Sequence, residues 1–68
     1  MMKKLINIEG MSCNHCVAHV KEALEGINGV KIIDVSLDNN NALVETEVDN
    51  DVLINAIEEE GYEVKSIE

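Results

Sequence analysis

The sequence predicts an α+β fold in which a four-stranded antiparallel sheet carries two helices on one face. Three observations lead there. Four short stretches alternate apolar with polar residues, the pattern of strands with one face in a core. After the first and third of these stretches, the apolar spacing changes to the three-and-four rhythm of a helix. Glycines and a run of asparagines stand at the joints, and proline is absent from all 68 residues, which read as one domain, 1–68.

The first strand covers residues 3–9, with Ile6 and Ile8 on one face and Leu5, Asn7 and Glu9 on the other. A helix follows from 15 to about 25, where Val17, Val20, Leu24 and Ile27 form one apolar stripe before Gly26 and Gly29 supply the stop. The second strand is expected over 30–37 with Ile33, Val35 and Leu37 facing the core. Ile32 then joins Leu5 and Leu43 on the open face. Residues 38–41, Asp-Asn-Asn-Asn, have turn chemistry because asparagine tolerates a positive φ. The third strand takes 42–48, with Val44, Thr46 and Val48 in register. Asp49 or Asn50 caps a second helix whose inner face is Leu53, Ala56, Ile57 and the stem of Glu60. Gly61 ends it, and 62–67 is the last strand.

The order βαββαβ is the ferredoxin-like split βαβ arrangement, with strands in the spatial order fourth, first, third, second. In that order the 11–16 loop, the 38–41 turn and the 59–62 junction lie at one end. Tyr62 is therefore expected beside Cys13, although far from it in sequence.

Composition narrows the function. Tyr62 is the only aromatic residue, so the core must be aliphatic. No apolar run approaches the ~20 residues of a membrane span, and the basic start Met1-Met2-Lys3-Lys4 precedes no signal core of ~7–15 apolar residues. The chain reads as cytoplasmic, where thiols stay reduced. A formal charge of −9 excludes a nucleic-acid partner and suits solubility, or a partner with a basic face.

The only two cysteines lie in Gly10-Met11-Ser12-Cys13-Asn14-His15-Cys16, where an extended run gives way to a helix. They are too close in sequence to close a useful covalent loop. The loop holds Cys13 while the first helical turn presents Cys16, so both sulfurs can converge on one soft ion. The unpaired N–H groups of a helix start favour thiolate over thiol. Two thiolates without further sulfur suit Cu(I), whereas structural zinc wants four ligands. The alternative is a pair of inert, half-buried cysteines.

GMSCNHC resembles the GMxCxxC motif of the heavy-metal-associated domain, the fold of small copper chaperones and of modules in copper-transporting ATPases. The likeness covers essentially the whole chain, including Ala56-Ile57-Glu58-Glu59-Glu60-Gly61-Tyr62. His15 and Tyr62 resemble the bacterial copper chaperone subgroup in particular. The resemblance implies Cys13 and Cys16 as ligands, a tuning role for His15 and a covering role for Tyr62, which reads either as a core aromatic or, preferably, as a lid over the metal with its hydroxyl outward. His15 as a direct ligand is the other reading, disfavoured because consecutive helix positions point about 100° apart. Met11 is either a thioether ligand or a loop anchor, and the anchor is preferred. Ser12 and Asn14 read as loop hydrogen-bonders, His19 as solvated surface, and the acidic cluster Glu58, Glu59, Glu60 and Glu63 as a solvated helix end.

The function expected is a soluble copper chaperone without catalysis. It hands Cu(I) by ligand exchange to a copper-transporting P-type ATPase, with a copper-responsive repressor as a second candidate partner. The chain is expected to be a free protein rather than an excised ATPase module, a monomer without copper, and open to a copper-bridged dimer. Two alternatives remain. A thioredoxin-like dithiol oxidoreductase also places CxxC at a strand–helix junction, but lacks here a proline near the site and an aromatic before the first cysteine. A mercury or zinc carrier of the same fold is the other.

Overall fold

The computed structural model describes residues 2–68; Met1 of the basic start lies outside them. The elements are β1 (Met2–Glu9), α1 (Asn14–Glu25), β2 (Val30–Ser36), β3 (Asn41–Thr46), α2 (Asn50–Glu59) and β4 (Glu63–Ile67). They build one antiparallel sheet in the order β2-β3-β1-β4. Helix α1 packs on β2, α2 on β4, and the helices on each other. This is the expected ferredoxin-like arrangement.

The core forms where one sheet face meets the two helical stripes. Ile6, Ile8, Ala42 and Val44 from the sheet, and Val20, Leu24, Leu53 and Ile57 from the helices, are buried, and Met11 closes the cluster at the loop end. Burying each large aliphatic side chain contributes roughly 1.5–3 kcal/mol. The buried hydroxyl of Thr46 is satisfied on both sides, donating to Gly29 O at 2.8 Å and accepting from Val48 N at 3.0 Å. Val48, expected in the third strand, lies just past β3 and still packs on the core.

Strand β2 departs from the expected pattern. Its register on β3 shifts between Ile32 and Asp34, so that Ile32 pairs with Val44 and Val35 with Ala42, both on the core side. Ile33, expected in the core, is the extra residue of this bulge and is 43 % exposed, while Ile32, expected on the open face, packs against the core. Side chains alternate with period two, so one inserted residue exchanges the faces. Leu5 and Leu43 pair across the open face as expected.

Two expectations about α2 are also corrected. Asp49 takes the N-cap position with extended backbone but makes no side-chain cap hydrogen bond. The Asn50 side chain instead accepts from Lys4 Nζ at 2.8 Å, which also donates to Val48 O at 2.6 Å and so ties β1 to the start of the helix. Glu60 is the exposed C-cap rather than part of the inner face. Gly61 follows at φ 98°, where an L side chain would be strained, and turns the chain into β4.

The three junctions meet at one end, as expected. Ile8 N donates to Asn40 O at 2.8 Å. With its amide nitrogen turned toward the carbonyls, Asn40 donates to Met11 O at 3.2 Å and Leu37 O at 3.3 Å, which ties the β2–β3 turn to the cysteine loop. Asn40 itself sits at φ 53°, the positive φ expected of an asparagine in this turn.

Candidate metal centre

Gly10 leaves β1 at φ 105°, and the Tyr62 ring lies against it, with Cδ1 3.6 Å from where a β-carbon would stand. The chain then buries Met11, 6 % exposed, before rising into the exposed Ser12 and Cys13. Such burial is what the anchor reading expects of Met11. Cys13 is the N-cap of α1, and its carbonyl accepts from Cys16 N at 3.0 Å and Val17 N at 3.3 Å. One helical turn brings the two sulfurs 3.8 Å apart. A metal–thiolate bond is about 2.3 Å long, so one ion can reach both sulfurs up to about 4.6 Å apart.

The two thiols differ in setting. Cys13 is exposed, whereas Cys16 is half-buried against the core. The Cys16 thiol is lowered from its ordinary 9.0 to about 6, first by the Ser12 backbone N–H and next by the Tyr62 hydroxyl, with burial opposing. Ser12 Oγ lies 3.9 Å from the same sulfur. The contact acts on its other partner too, and the Tyr62 phenol is pushed up to about 12, chiefly by its hydrogen bond to Cys16. A donor that stabilises the thiolate is itself harder to deprotonate beside it.

Tyr62 stands where the topology argument put it, beside the cysteine loop. Its half-buried ring packs on the core, and its hydroxyl lies 3.2 Å from His19 Nδ1 in an exposed contact. His19, expected to be mere solvated surface, is therefore in contact with Tyr62. The signal for it was its place three residues after Cys16, which puts both on neighbouring positions of one helix surface. His15 is exposed in the first turn of α1, and Glu58, Glu59, Glu60 and Glu63 are all exposed near the same end.

Among the described residues no three His, Cys, Asp or Glu side chains gather into a metal cluster. A polar groove of about 450 Å³ opens nearby, lined by Asn7, Glu9, Gly10, Asn40, Lys65 and Ser66 among others, but neither cysteine lines it. Cys13 stands exposed at the N-cap of α1, where another protein's side chains can approach it, and Cys16 lies half-buried one turn behind it.

The sequence profile of the heavy-metal-associated domain matches residues 5–63. Copper chaperone CopZ of Staphylococcus haemolyticus (strain JCSC1435) is 46 % identical over 68 residues, spanning 96 % of this chain and 100 % of that protein. A mercuric reductase of Shewanella putrefaciens is 51 % identical over 63 residues, which are 90 % of this chain and 11 % of the reductase. Among solved structures, a CopZ metallochaperone superposes with TM-score 0.86 at 39 % identity, covering 93 % of this chain and 98 % of that one. A copper-binding domain from HMA7, a P-type ATPase, gives TM-score 0.84 at 32 % identity over 98 % and 99 % of the two chains. In sequence and in fold alike, the chain belongs to the heavy-metal-associated domain family.

Proposed function

We propose that this protein is a cytoplasmic copper chaperone that carries Cu(I) between the thiolates of Cys13 and Cys16 and passes it to a copper-transporting P-type ATPase. The observation that carries the reading is the pair of sulfurs 3.8 Å apart at the start of α1, Cys13 exposed and Cys16 favoured as thiolate near neutral pH. Soft thiolates match a soft monovalent ion. Two ligands leave room for a third sulfur, so the cargo can cross to a partner's CxxC without being released to water. The full-length likeness to copper chaperones and to an ATPase copper domain supports both the cargo and the recipient. A copper-responsive repressor is a further recipient under this reading. Met11 anchors the loop from below, Tyr62 covers it, and His15 tunes the approach of solvent.

Anaerobic titration against a chromophoric Cu(I) competitor tests it. Wild type should take one Cu(I) per chain, and Cys13→Ser or Cys16→Ser should each lose the competition while keeping the fold. His15→Ala should still bind. Retained tight binding in either cysteine variant overturns the ligand assignment. An insulin-reduction assay run alongside should show no turnover; dithiol–disulfide turnover would move the protein to the oxidoreductase class.

The mercuric reductase likeness favours a second reading, a mercury carrier. A dithiol binds either soft ion, so affinity does not separate the two. Handover does: the loaded chain should transfer Cu(I) to an ATPase copper domain faster than it transfers Hg(II) to a mercuric reductase.

A further inference from the structure

Asparagine followed by glycine is a chemically reactive pair, and the chain contains it once, at Asn28-Gly29. The main-chain nitrogen of the following residue can attack the asparagine side-chain carbonyl carbon and close a five-membered ring. A β-carbon on the attacking residue hinders this, and glycine has none. Folding suppresses the reaction where it fixes the backbone on either side of the pair.

Every other asparagine precedes a residue with a β-carbon. Asn7, Asn14, Asn41, Asn50 and Asn55 also lie within strands or helices. After Asn39 the next N–H donates to Leu37 O at 3.3 Å, and the peptide after Asn40 is held by Ile8 N, which donates to its carbonyl at 2.8 Å. Asn28-Gly29 has neither protection. Helix α1 closes before it, with Gly26 N donating to Glu22 O and Ile27 N to Leu24 O. Asn28 and Gly29 are then both exposed, and the Gly29 N–H donates to no backbone acceptor among the described residues. Gly29 itself sits at φ 92°, a conformation that glycine adopts without strain.

We propose that Asn28-Gly29 is a self-modification site, at which the Gly29 nitrogen attacks Asn28 Cγ and the chain ages into isoaspartyl and aspartyl forms. The bond formed is Gly29 N–Asn28 Cγ, and the bond broken is Cγ–Nδ2. The leaving nitrogen takes the Gly29 amide proton with it as ammonia. Water then opens the cyclic imide and returns a proton to the Gly29 nitrogen. Entering at Cγ it leaves aspartate. Entering at the Asn28 main-chain carbonyl it leaves isoaspartate, with the chain rerouted through Cβ and Cγ. The carrier reading plays no part in this.

The place gives the change a structural effect. Gly29 O accepts the buried Thr46 hydroxyl at 2.8 Å, and Val30 opens β2 opposite Thr46. Isoaspartate lengthens the main chain immediately before that contact. Either product also adds negative charge just past the C-terminal end of α1, where the last turn holds no basic residue and anions are disfavoured. Ageing therefore loosens the joint between α1 and β2.

Metal-free protein held in warm, mildly alkaline buffer tests this. Fragment mass spectrometry places each product, and isoaspartyl-specific methyl transfer from S-adenosylmethionine quantifies it. Isoaspartate should accumulate at residue 28 at least about tenfold faster than at any other asparagine, because only there does a residue without a β-carbon follow. Asn28→Gln, whose longer side chain must close a six-membered ring, should abolish it. A faster site elsewhere, or equal product in Asn28→Gln, would overturn the proposal. Because the turn leaves the Gly29 nitrogen free, the folded chain should react within about tenfold of the chain unfolded in urea. Stronger protection would show the turn holding nitrogen and carbon apart, and would equally overturn it. The purified isoaspartyl form should unfold at lower urea than fresh protein, and an unchanged midpoint would refute the loosened joint.

Discussion

Cys16 should titrate as an acidic thiol, and Tyr62→Phe should move it part of the way back. At pH 7 a thiol lowered to about 6 is roughly 90 % thiolate, against roughly 1 % for an ordinary thiol at 9.0. Each such thiolate is intrinsically less nucleophilic, by roughly 15–30-fold for a drop of three pKa units. The two effects nearly cancel in the rate, leaving a net gain of only about 3–6-fold at pH 7. The midpoint of the pH profile, rather than the rate, is therefore the quantity to read. Trace alkylation with iodoacetamide across pH 4–10, located by fragment mass spectrometry, reports Cys16 separately from Cys13. The Cys16 profile should centre about three units below an ordinary thiol. In Tyr62→Phe the midpoint should rise but stop short of 9.0, because the Ser12 N–H, the largest cause of the lowering, remains. A wild-type midpoint in the ordinary thiol range would refute the electrostatics of the site. An unmoved midpoint in Tyr62→Phe would refute the hydroxyl contact alone.

The same shift has a stability consequence: a folded-state pKa below the unfolded one stabilises fully above 9.0, and the gain is lost as pH falls through about 6. The difference in urea midpoint between wild type and Cys16→Ser should accordingly widen from pH 6 to pH 9. The metal-free chain should fold by its aliphatic core, with dispersed amide NMR signals, and Leu53→Ala should cost about 2–5 kcal/mol by urea denaturation. Thr46→Val keeps the shape but leaves Gly29 O and Val48 N without their buried partner, a loss of about 1–3 kcal/mol by the same measurement. Glu9 and Glu63 face each other across β1 and β4 at the metal end, an unfavourable like-charge pair that favours a basic partner. Glu59→Gln with Glu63→Gln should slow stopped-flow copper transfer at low salt, as should added salt in wild type; indifference to both would leave the charge as solubility alone.

Local pattern carried the fold because helix and strand periods are written in side chains a few residues apart. Ile6 with Ile8 and Leu53 with Ile57 needed no more than that. The exchange of Ile32 and Ile33 was hidden because a bulge is decided by pairing with β3, and every residue from Val30 to Ile33 is either apolar or a long-stemmed lysine. Capping residues named Asp49, but the Asn50 amide went to Lys4, a partner 46 positions away. At the site, the CxxC spacing announced itself, and topology alone brought Tyr62 to the loop. His19 was missed because its contact runs to Tyr62 across a separation of 43 residues. Helix spacing offered it as a neighbour of Cys16 without saying what would meet it there.

The separation of 3.8 Å between the two sulfurs has a consequence for the dynamics of exchange. With two bonds of about 2.3 Å, that spacing corresponds to a sulfur–metal–sulfur angle of about 110°, whereas a linear pair needs about 4.6 Å and a trigonal one about 4.0 Å. The resting loop is therefore within about 0.2 Å of the opening a three-sulfur intermediate requires, and about 0.8 Å short of the linear state. In a Cu(I) carrier, loading to a linear pair would spread the sulfurs by about 0.8 Å, and an incoming third sulfur would let them close by about 0.6 Å, most of the way back to the resting spacing.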